Sequence, residues 1–526
     1  MKTLWTNGSI LNITNQTDYD WITTNDDLIL DLGFKNNQPN SDIFDNVIDL
    51  EGATLMPAFI DPHSHFSANV YSFIQADLSE CLSFEDIGNT IKNHIVENKL
   101  TDDEWITATG YDHNFLEEKD HPRKEVLDAI SLTNPIAIHH QSGHFGVFNS
   151  AALAYLGIDE NTPVPSGGSI ETDENGLTGY MEENAFIDSV KRAPMPDMDA
   201  IQSSIEKAAH RYLSYGITTV QEGMMVKELI PLYEAIINGP DLHIDIIYYT
   251  GLADKDKVLD RFPLTVDDYH SNVKFGGVKL FLDGSPQGKT AWLREPYLGD
   301  EDNCGYGTMS DQQLYDGLTK AYEEEVQPLA HCNGDAAVAQ YVNVIRKLKA
   351  EGKDLGPLRP VVIHAQLLGR DQMKDIDELG MIPSFFLAHI FHWGDIHIAN
   401  FGMDRADYIS PAKTALSYGI PFTLHQDSPV IPPNMIETIA CAVNRTTKQG
   451  VVLGESEKLT AQEAITAVTS NAAHQYFEEG IKGTLETGKR ANFVILSDNP
   501  MTVRNDQINS IQVLKTVKDG RVVYSK

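Results

Sequence analysis

The stretch Thr54-Leu55-Met56-Pro57-Ala58-Phe59-Ile60-Asp61-Pro62-His63-Ser64-His65 decides the fold. An apolar run long enough for a strand ends in two histidines two positions apart. Alternate residues of an extended chain project to the same side, so His63 and His65 can hold one metal ion together. A closed parallel sheet carries its chemistry at the carboxyl ends of its strands, and a run that ends in ligands suits its first strand. An open doubly wound sheet would need a Gly-rich phosphate turn at this point. Asp61-Pro62-His63-Ser64-His65 stands there instead.

Downstream, short apolar runs alternate with helix-like stretches, which predicts βα units around a parallel sheet. The candidate strands are Leu55–Ile60, Trp105–Gly110, Ile217–Gln221, Phe275–Leu282, Val326–Ala330, Pro360–Ile363, Met381–Phe386 and Pro421–Leu424. Eight such units fit an α/β fold of the (β/α)8 TIM-type barrel class, spanning residues 57–475. Both chain ends read as short strands broken by Asn, Gly, Asp and Pro, and predict a small β-domain built from residues 1–56 and 476–526. Residues 111–200 are too long for a simple loop and are expected to form an insertion over the barrel mouth. Within it, Asn149–Leu156 is expected to be a helix capped by Asn149 or Ser150.

The net charge of -36, from 40 basic and 76 acidic residues, repels phosphate backbones and anionic membranes. Nucleic acid and membrane partners are therefore not expected. No apolar run reaches the ~18 residues that a membrane-spanning helix needs. Met1-Lys2-Thr3-Leu4-Trp5-Thr6-Asn7-Gly8 has no secretory-leader pattern. Cys81, Cys304, Cys332 and Cys441 form no CxxC, so reduced thiols in a cytoplasmic enzyme are expected.

Four more metal-capable residues lie within or just past other apolar runs: Lys279, His331, His364 and Asp427. In Val278-Lys279-Leu280-Phe281-Leu282-Asp283 the alternation turns Lys279, Phe281 and Asp283 toward the barrel interior. A lysine there is costly as a bare cation. It either pairs with Asp283 or Asp427, or its pKa falls and the neutral amine captures carbon dioxide to give a metal-bridging carbamate. His331 or His364 alone would read as a hydrogen-bonded core histidine; with the His63/His65 pair they read as ligands. Asp427, before Ser428-Pro429, would alone be a turn former. On the last strand of a metal site it is the natural proton carrier.

The joint pattern resembles the amidohydrolase superfamily, and in particular its N-substituted formamide deformylase-like (YtcJ-like, amidohydrolase family 3) branch. The resemblance runs through Pro57–His65, Gly143-His144 with Asn149–Leu153, Gly216–Gln221, Val278–Ser285, His331–Ala336, Ile363–Gln366, Asp427–Val430 and Gly483–Lys489. It implies a barrel beside a small β-sandwich, and one or two divalent metal ions, zinc foremost, at a centre that hydrolyses C–N bonds. His63 and His65 would bind the first ion, with Asp427 near it. Lys279, carboxylated, would bridge, and His331 and His364 would bind the second. Ala58 and Asn492 depart from the family's usual Gly and Asp, at positions outside the chemistry.

The expected reaction is attack of a metal-activated water on an amide, N-acyl or N-formyl group of a small molecule. Asp427 would move the proton, with Lys279 and His144 completing the catalytic set. Substrate-contact candidates are His144, Glu183, His389, Trp292 and Phe386. Phe385, Phe391, Trp393 and Tyr306 are further aromatics that line a pocket or fill a core. His144 also reads as a turn histidine, Glu183 as a solvated helix face, His425 as an inward or packing residue, and Cys332 as a packing residue. The competing readings keep the scaffold. They are cyclic-amide hydrolysis, deamination or non-hydrolytic decarboxylation on the same centre, or a non-catalytic regulator. The expected partners are a small-molecule substrate and, in a homodimer, a second copy of the chain.

Overall fold

The computed structural model describes every residue except 15–16, 142–144, 166, 195, 197, 264–265 and 267. Its central feature is a sheet of eight parallel strands in chain order: Phe59–Ile60, Ile217–Met225, Asp245–Gly251, Val273–Phe281, Gln327–Cys332, Val361–His364, Ile382–Phe385 and Thr423–Leu424. Parallel strands covered on both faces read as near-continuous apolar runs. Asp245–Gly251 and Val361–His364 are buried at every position. The sheet curls until its two outer strands lie close. His65 N–H, past the first strand, donates to Ser428 O, past the last, at 2.8 Å. The His63 and His425 rings lie 5.2 Å apart across the same junction.

Two strand expectations need correction. Trp105–Gly110 is not in this sheet: the observed strand Ile106–Tyr111 pairs elsewhere. Asp245–Gly251 takes a place in the parallel sheet that the sequence reading did not give it. A strand's own pattern signals extension, not which sheet it joins. The decisive apolar run is also not one strand. Thr54–Pro57 pairs antiparallel with Phe493–Leu496, while Phe59–Ile60 opens the parallel sheet. The break falls at Ala58, whose N–H donates to Asn492 O at 3.0 Å, while that of Phe59 donates to Gly216 O at 2.9 Å.

Both chain ends build a second eight-stranded sheet. Its order is Arg521–Ser525, Val513–Lys518, Phe493–Leu496, Thr54–Pro57, Lys2–Asn12, Thr17–Asn25 and Leu28–Gly33, with Asn46–Asp49 also on Lys2–Asn12. These strands are hydrogen-bonded into one mixed sheet. An irregularity between Thr6 and Ile10 lets the long first strand pair with Asn46–Asp49 by one half and with Thr54–Pro57 by the other. Trp5, Ile10, Ile22, Leu55, Phe493, Ile495 and Val517 form its core.

The chain divides into two compact units, Met1–Ala68 with Ala208–Lys526, and Asn69–Lys207. The second unit is continuous in the chain. It is built on a six-stranded sheet that runs Gly168–Asp173, Gly176–Glu182, Phe145–Phe148, Ile136–His140, Ile106–Tyr111 and Ala76–Asp77. Its helix Ser150–Leu156 is capped by Asn149, which accepts from Ala152 N–H at 2.9 Å, and ends at Gly157 with a φ of 64°. All four cysteines are free thiols. No helix among the described residues is long and apolar enough to cross a membrane.

In the first unit a buried ionic network joins the parallel sheet to the sheet of the chain ends. Asp245 accepts from Lys482 Nζ at 2.8 Å and pairs with Lys518 Nζ at 2.9 Å. Glu478 pairs with Lys482 at 2.8 Å and with Lys274 at 2.5 Å. Burial pushes the Asp245 carboxyl up, but Lys482 and Lys518 more than offset this and hold it well below the usual carboxylate range. A depressed folded pKa gives stability that is present above the unfolded value of ~3.9 and is lost as pH falls through the folded value. Asp245→Ala leaves two buried ammonium groups short of a partner and is expected to cost about 3–5 kcal/mol. Thermal unfolding checks this: the variant's midpoint should lie below the wild type's at neutral pH, with the gap closing in strong acid.

Candidate metal centre

The parallel strands deliver their last residues to one place. His63 and His65 follow the first strand, Gln221 and Glu222 lie on the second, and Lys279 on the fourth. His331 is on the fifth strand, His364 ends the sixth, and His425 and Asp427 follow the eighth. His63, His65 and Asp427 bring one ligand atom each within 4.8 Å of one another. Asp427 Oδ1 lies 3.4 Å from His63 Nε2 and 3.5 Å from His65 Nε2; Oδ2 lies 3.8 Å from His364 Nε2. Lys279 Nζ lies 3.3 Å from His63 Nε2. The rings of His63 and His364 are 5.6 Å apart, and those of His331 and His364 4.6 Å. The six positions singled out as ligands thus form one connected cluster.

What aims these groups lies behind them. Gln221 Oε1 is 2.5 Å from His63 Nδ1, and its Nε2 donates to Pro62 O at 2.8 Å and Tyr476 Oη at 3.0 Å. With the Gln221 amide oriented in this way, its oxygen accepts from Nδ1–H and leaves the Nε2 lone pair of His63 facing the cluster. Glu222 stands 3.6 Å from His65 Nδ1 and accepts from Ser67 N–H at 2.8 Å. Asp283, fully buried, accepts from His331 Nδ1 at 3.1 Å and from the N–H groups of Trp292, Asn333 and Gly334 at 2.7–3.1 Å. It is therefore spent on His331 and the loop beyond, not on Lys279. His364 Nδ1 meets His425 Nε2 at 3.1 Å, and His425 Nδ1 meets Ser384 Oγ at 2.9 Å. That relay holds the His364 ring by its Nδ1 edge and leaves its Nε2 toward Asp427, 3.8 Å from Oδ2.

The protonation states suit a cation. Burial holds His63 and His364 well below the ordinary imidazole value, hence neutral. Burial also pushes the Lys279 amine down to about 8. The nearby Asp427 raises it without offsetting the burial. Burial raises the Asp427 carboxyl, yet the imidazoles of His65, His63 and His364 hold it well below the carboxylate range. Burial lowers His65, but Asp427 and Glu222 outweigh that and raise it to about 9. Loading an ion must therefore displace the His65 proton. Asp427 Oδ1 is buried and accepts no hydrogen bond. A carboxylate oxygen left this way beside two imidazoles fits a cation facing it. The backbone also carries strain here: φ is 73° at His364 and 55° at Asp427, conformations costing about 1–3 kcal/mol that persist where surrounding structure fixes them.

The remaining candidates are placed differently. His389 Nδ1 is bonded to His397 Nε2 at 2.6 Å, and its ring packs on Phe386 and Trp393. Phe386 is buried beside His364 and His425. Trp292 donates its backbone N–H to Asp283 and accepts from Ala336 N–H at 3.1 Å through its carbonyl, so its main chain shapes the loop after His331. Phe385 packs on Phe422 in the core, Tyr306 and Phe391 are exposed, and Cys332 is a buried thiol whose pKa burial raises. Glu183 opens the helix Glu183–Val190 of the second unit with a φ of 49°. His144 lies outside the described residues. The sequence gives no role to Gln221, Glu222, Gly223 and Ser384; His425, read as inward or packing, turns inward against His364 and His63. The only local signal was alternation: His425 stands two before Asp427, on the same side of an extended chain.

Residues 46–524 match the amidohydrolase family. The amidohydrolase-family protein YtcJ of Bacillus subtilis (strain 168) is 28% identical over 100% of both chains. The N-substituted formamide deformylase of Arthrobacter pascens is 25% identical over 91% of this chain and 90% of its own. An uncharacterized metal-dependent hydrolase from Pyrococcus furiosus superposes with a TM-score of 0.77 at 25% identity, covering 95% of this chain and 100% of that one.

Gly223 leaves room for the paired imidazoles. A Cβ built there would stand 2.7 Å from His63 Cε1 and 3.0 Å from His65 Cε1, closer than van der Waals contact allows. Gly223→Ala should push both rings out of alignment and lower metal content, measured by elemental analysis of purified protein, by more than it lowers the thermal midpoint. Unchanged metal content would show that the rings have slack.

Proposed function

The chain belongs to the amidohydrolase family, and on that premise we propose that it is a metal-dependent hydrolase that cleaves a C–N bond of the amide, N-acyl or N-formyl type in a small molecule. One observation carries the reading: the buried Asp427 Oδ1 stands 3.4 and 3.5 Å from the Nε2 atoms of His63 and His65, whose far sides face Gln221 and Glu222. In this reading the (β/α)8 barrel is complete and stands with a β-sandwich of the chain ends. His63 and His65 hold a first divalent ion, zinc by the donor set, with Asp427 beside it. Lys279, His331 and His364 hold a second.

A bound divalent ion supplies Lewis acidity, which polarises a carbonyl oxygen and brings the pKa of water from roughly 16 toward about 7. The chain's own groups do the rest. Asp427, ionised, accepts the proton of the attacking water and passes it to the leaving nitrogen, so that the amine departs neutral. The His425–Ser384 relay keeps His364 from turning. Lys279, with its amine near pKa 8, has enough free base at neutral pH to add to carbon dioxide. That step forms an N–C bond, releases one proton and leaves a carbamate anion. The deformylase relative supports an N-formyl or short N-acyl amine as the substrate class.

The test is turnover of a panel of N-formyl and N-acyl amines, read as amine release. Activity is expected to vanish on chelation and to return with Zn²⁺, Co²⁺ or Mn²⁺. Asp427→Asn should lower kcat by ~10²–10⁴-fold, the usual worth of a proton-transfer group. It should retain more metal than His63→Ala. Full turnover by Asp427→Asn would remove its role, and a metal-loaded protein that releases amine from no panel member would overturn the proposed bond type.

A further inference from the structure

A second group of metal-capable side chains lies wholly within the second unit. Asp112, His113 and His140 place one ligand atom each within 4.8 Å of one another. The neighbouring parallel strands Ile106–Tyr111 and Ile136–His140 pair Tyr111 with His140 at their carboxyl ends. The chain then turns so that Asp112 and His113 face back toward His140. This repeats, on another sheet, the placement that gathers groups at the ends of parallel strands.

The distances carry the argument. His113 Nδ1 is 3.3 Å from His140 Nε2, His140 Nε2 is 3.4 Å from Asp112 Oδ1, and His113 Nδ1 is 3.7 Å from Asp112 Oδ1. Four-coordinate zinc, with bonds of ~2.0–2.1 Å, sets its ligand atoms ~3.3–3.4 Å apart along the edges of a tetrahedron. Two edges of the observed triangle have that length, and the third, from His113 to Asp112, is 3.7 Å. One proton can bridge the two imidazoles, while the carboxylate oxygen stands 3.4 and 3.7 Å from the nitrogens, longer than a good hydrogen bond and within reach of a shared ion.

The surroundings hold the three groups in place. Asp112 Oδ1 accepts from the backbone and side-chain N–H groups of Asn114, both at 2.9 Å, which fixes the carboxylate. The His121 ring packs at a tilt on His113 with centroids 4.0 Å apart, and its Nδ1 lies 3.1 Å from Tyr111 Oη. Phe145 packs on His140 with centroids 4.2 Å apart. His140 is nearly buried, while Asp112 and His113 keep 19% and 28% of their side-chain surface. Three ligands with one side open to water leave a fourth position for solvent.

We propose that Asp112, His113 and His140 form a second divalent transition-metal site, of the zinc class, with two imidazoles, one carboxylate and a water as ligands. The ion ties the segment after Ile106–Tyr111 to the end of Ile136–His140.

The experiment counts metal on the full chain. Chelator-stripped protein is equilibrated with Zn²⁺, freed of excess and assayed by elemental analysis, and titrated with Co²⁺ to follow the visible band of a four-coordinate ion. The comparison is between His63→Ala/His65→Ala and the same variant with His113→Ala/His140→Ala added. The added changes should remove one equivalent of Zn²⁺ and the associated Co²⁺ band. Where the fourfold variant fails to fold, Asp112→Asn and His113→Ala in the wild-type chain give the same reading, a loss of one equivalent with the circular-dichroism spectrum retained. Equal metal content and equal Co²⁺ spectra with and without the His113 and His140 changes would overturn the site.

Discussion

The bond from His65 N–H to Ser428 O holds together the two ends of the parallel sheet. A twisted parallel sheet stays open unless its first and last strands are brought near each other. Here the turn after Phe59–Ile60 and the turn after Thr423–Leu424 meet, and the residues on either side of that seam are His63, His65, His425 and Asp427. Without the meeting, His63 and Asp427 would lie at opposite margins of the sheet. The cluster depends on it more than on any single side-chain contact.

The second dependence is on groups that never face the cluster. Each imidazole there has two nitrogens, and only the one with a free lone pair is useful to a metal. Gln221 and Asp283 decide which nitrogen that is for His63 and His331, the first through a neutral amide and the second as a buried anion, and His425 fixes the ring edge of His364. The charge is concentrated on Asp427, the one ionised carboxylate shared among His63, His65 and His364. Elsewhere in the same unit, buried charge is arranged for the opposite end: Asp245 and Glu478 are paired with Lys274, Lys482 and Lys518.

Much of this was legible in the sequence, and the reasons it stopped being legible are physical. His63 and His65 declare themselves because strand periodicity is local. Lys279, His331, His364 and Asp427 stand out because each lies within or just past an apolar run, where a soluble protein seldom places such groups without cause. Gln221, Glu222 and Ser384 carry no such mark. They are ordinary strand residues until the sheet's curl determines what they face. Trp105–Gly110 has the right pattern for the wrong sheet, and Asp245–Gly251 begins with an acid that makes sense only beside Lys482 and Lys518. Asp112, His113 and His140 stayed unremarked because 27 residues separate the two histidines and only the pairing of two strands joins them.

Ala58 has a mechanical corollary. The segment on its amino-terminal side is locked in register with Phe493–Leu496, and the segment on its carboxyl side is locked to Ile217 and Thr219. One short backbone therefore transmits the phase of the outer sheet to the paired histidines, like a key whose bow and bit are cut from a single blank. A single-residue insertion or deletion between Pro57 and Asp61 would leave every ligand in the sequence and turn His63 and His65 to the wrong face. Tolerance to length change should thus be lowest in a segment that touches neither metal nor substrate.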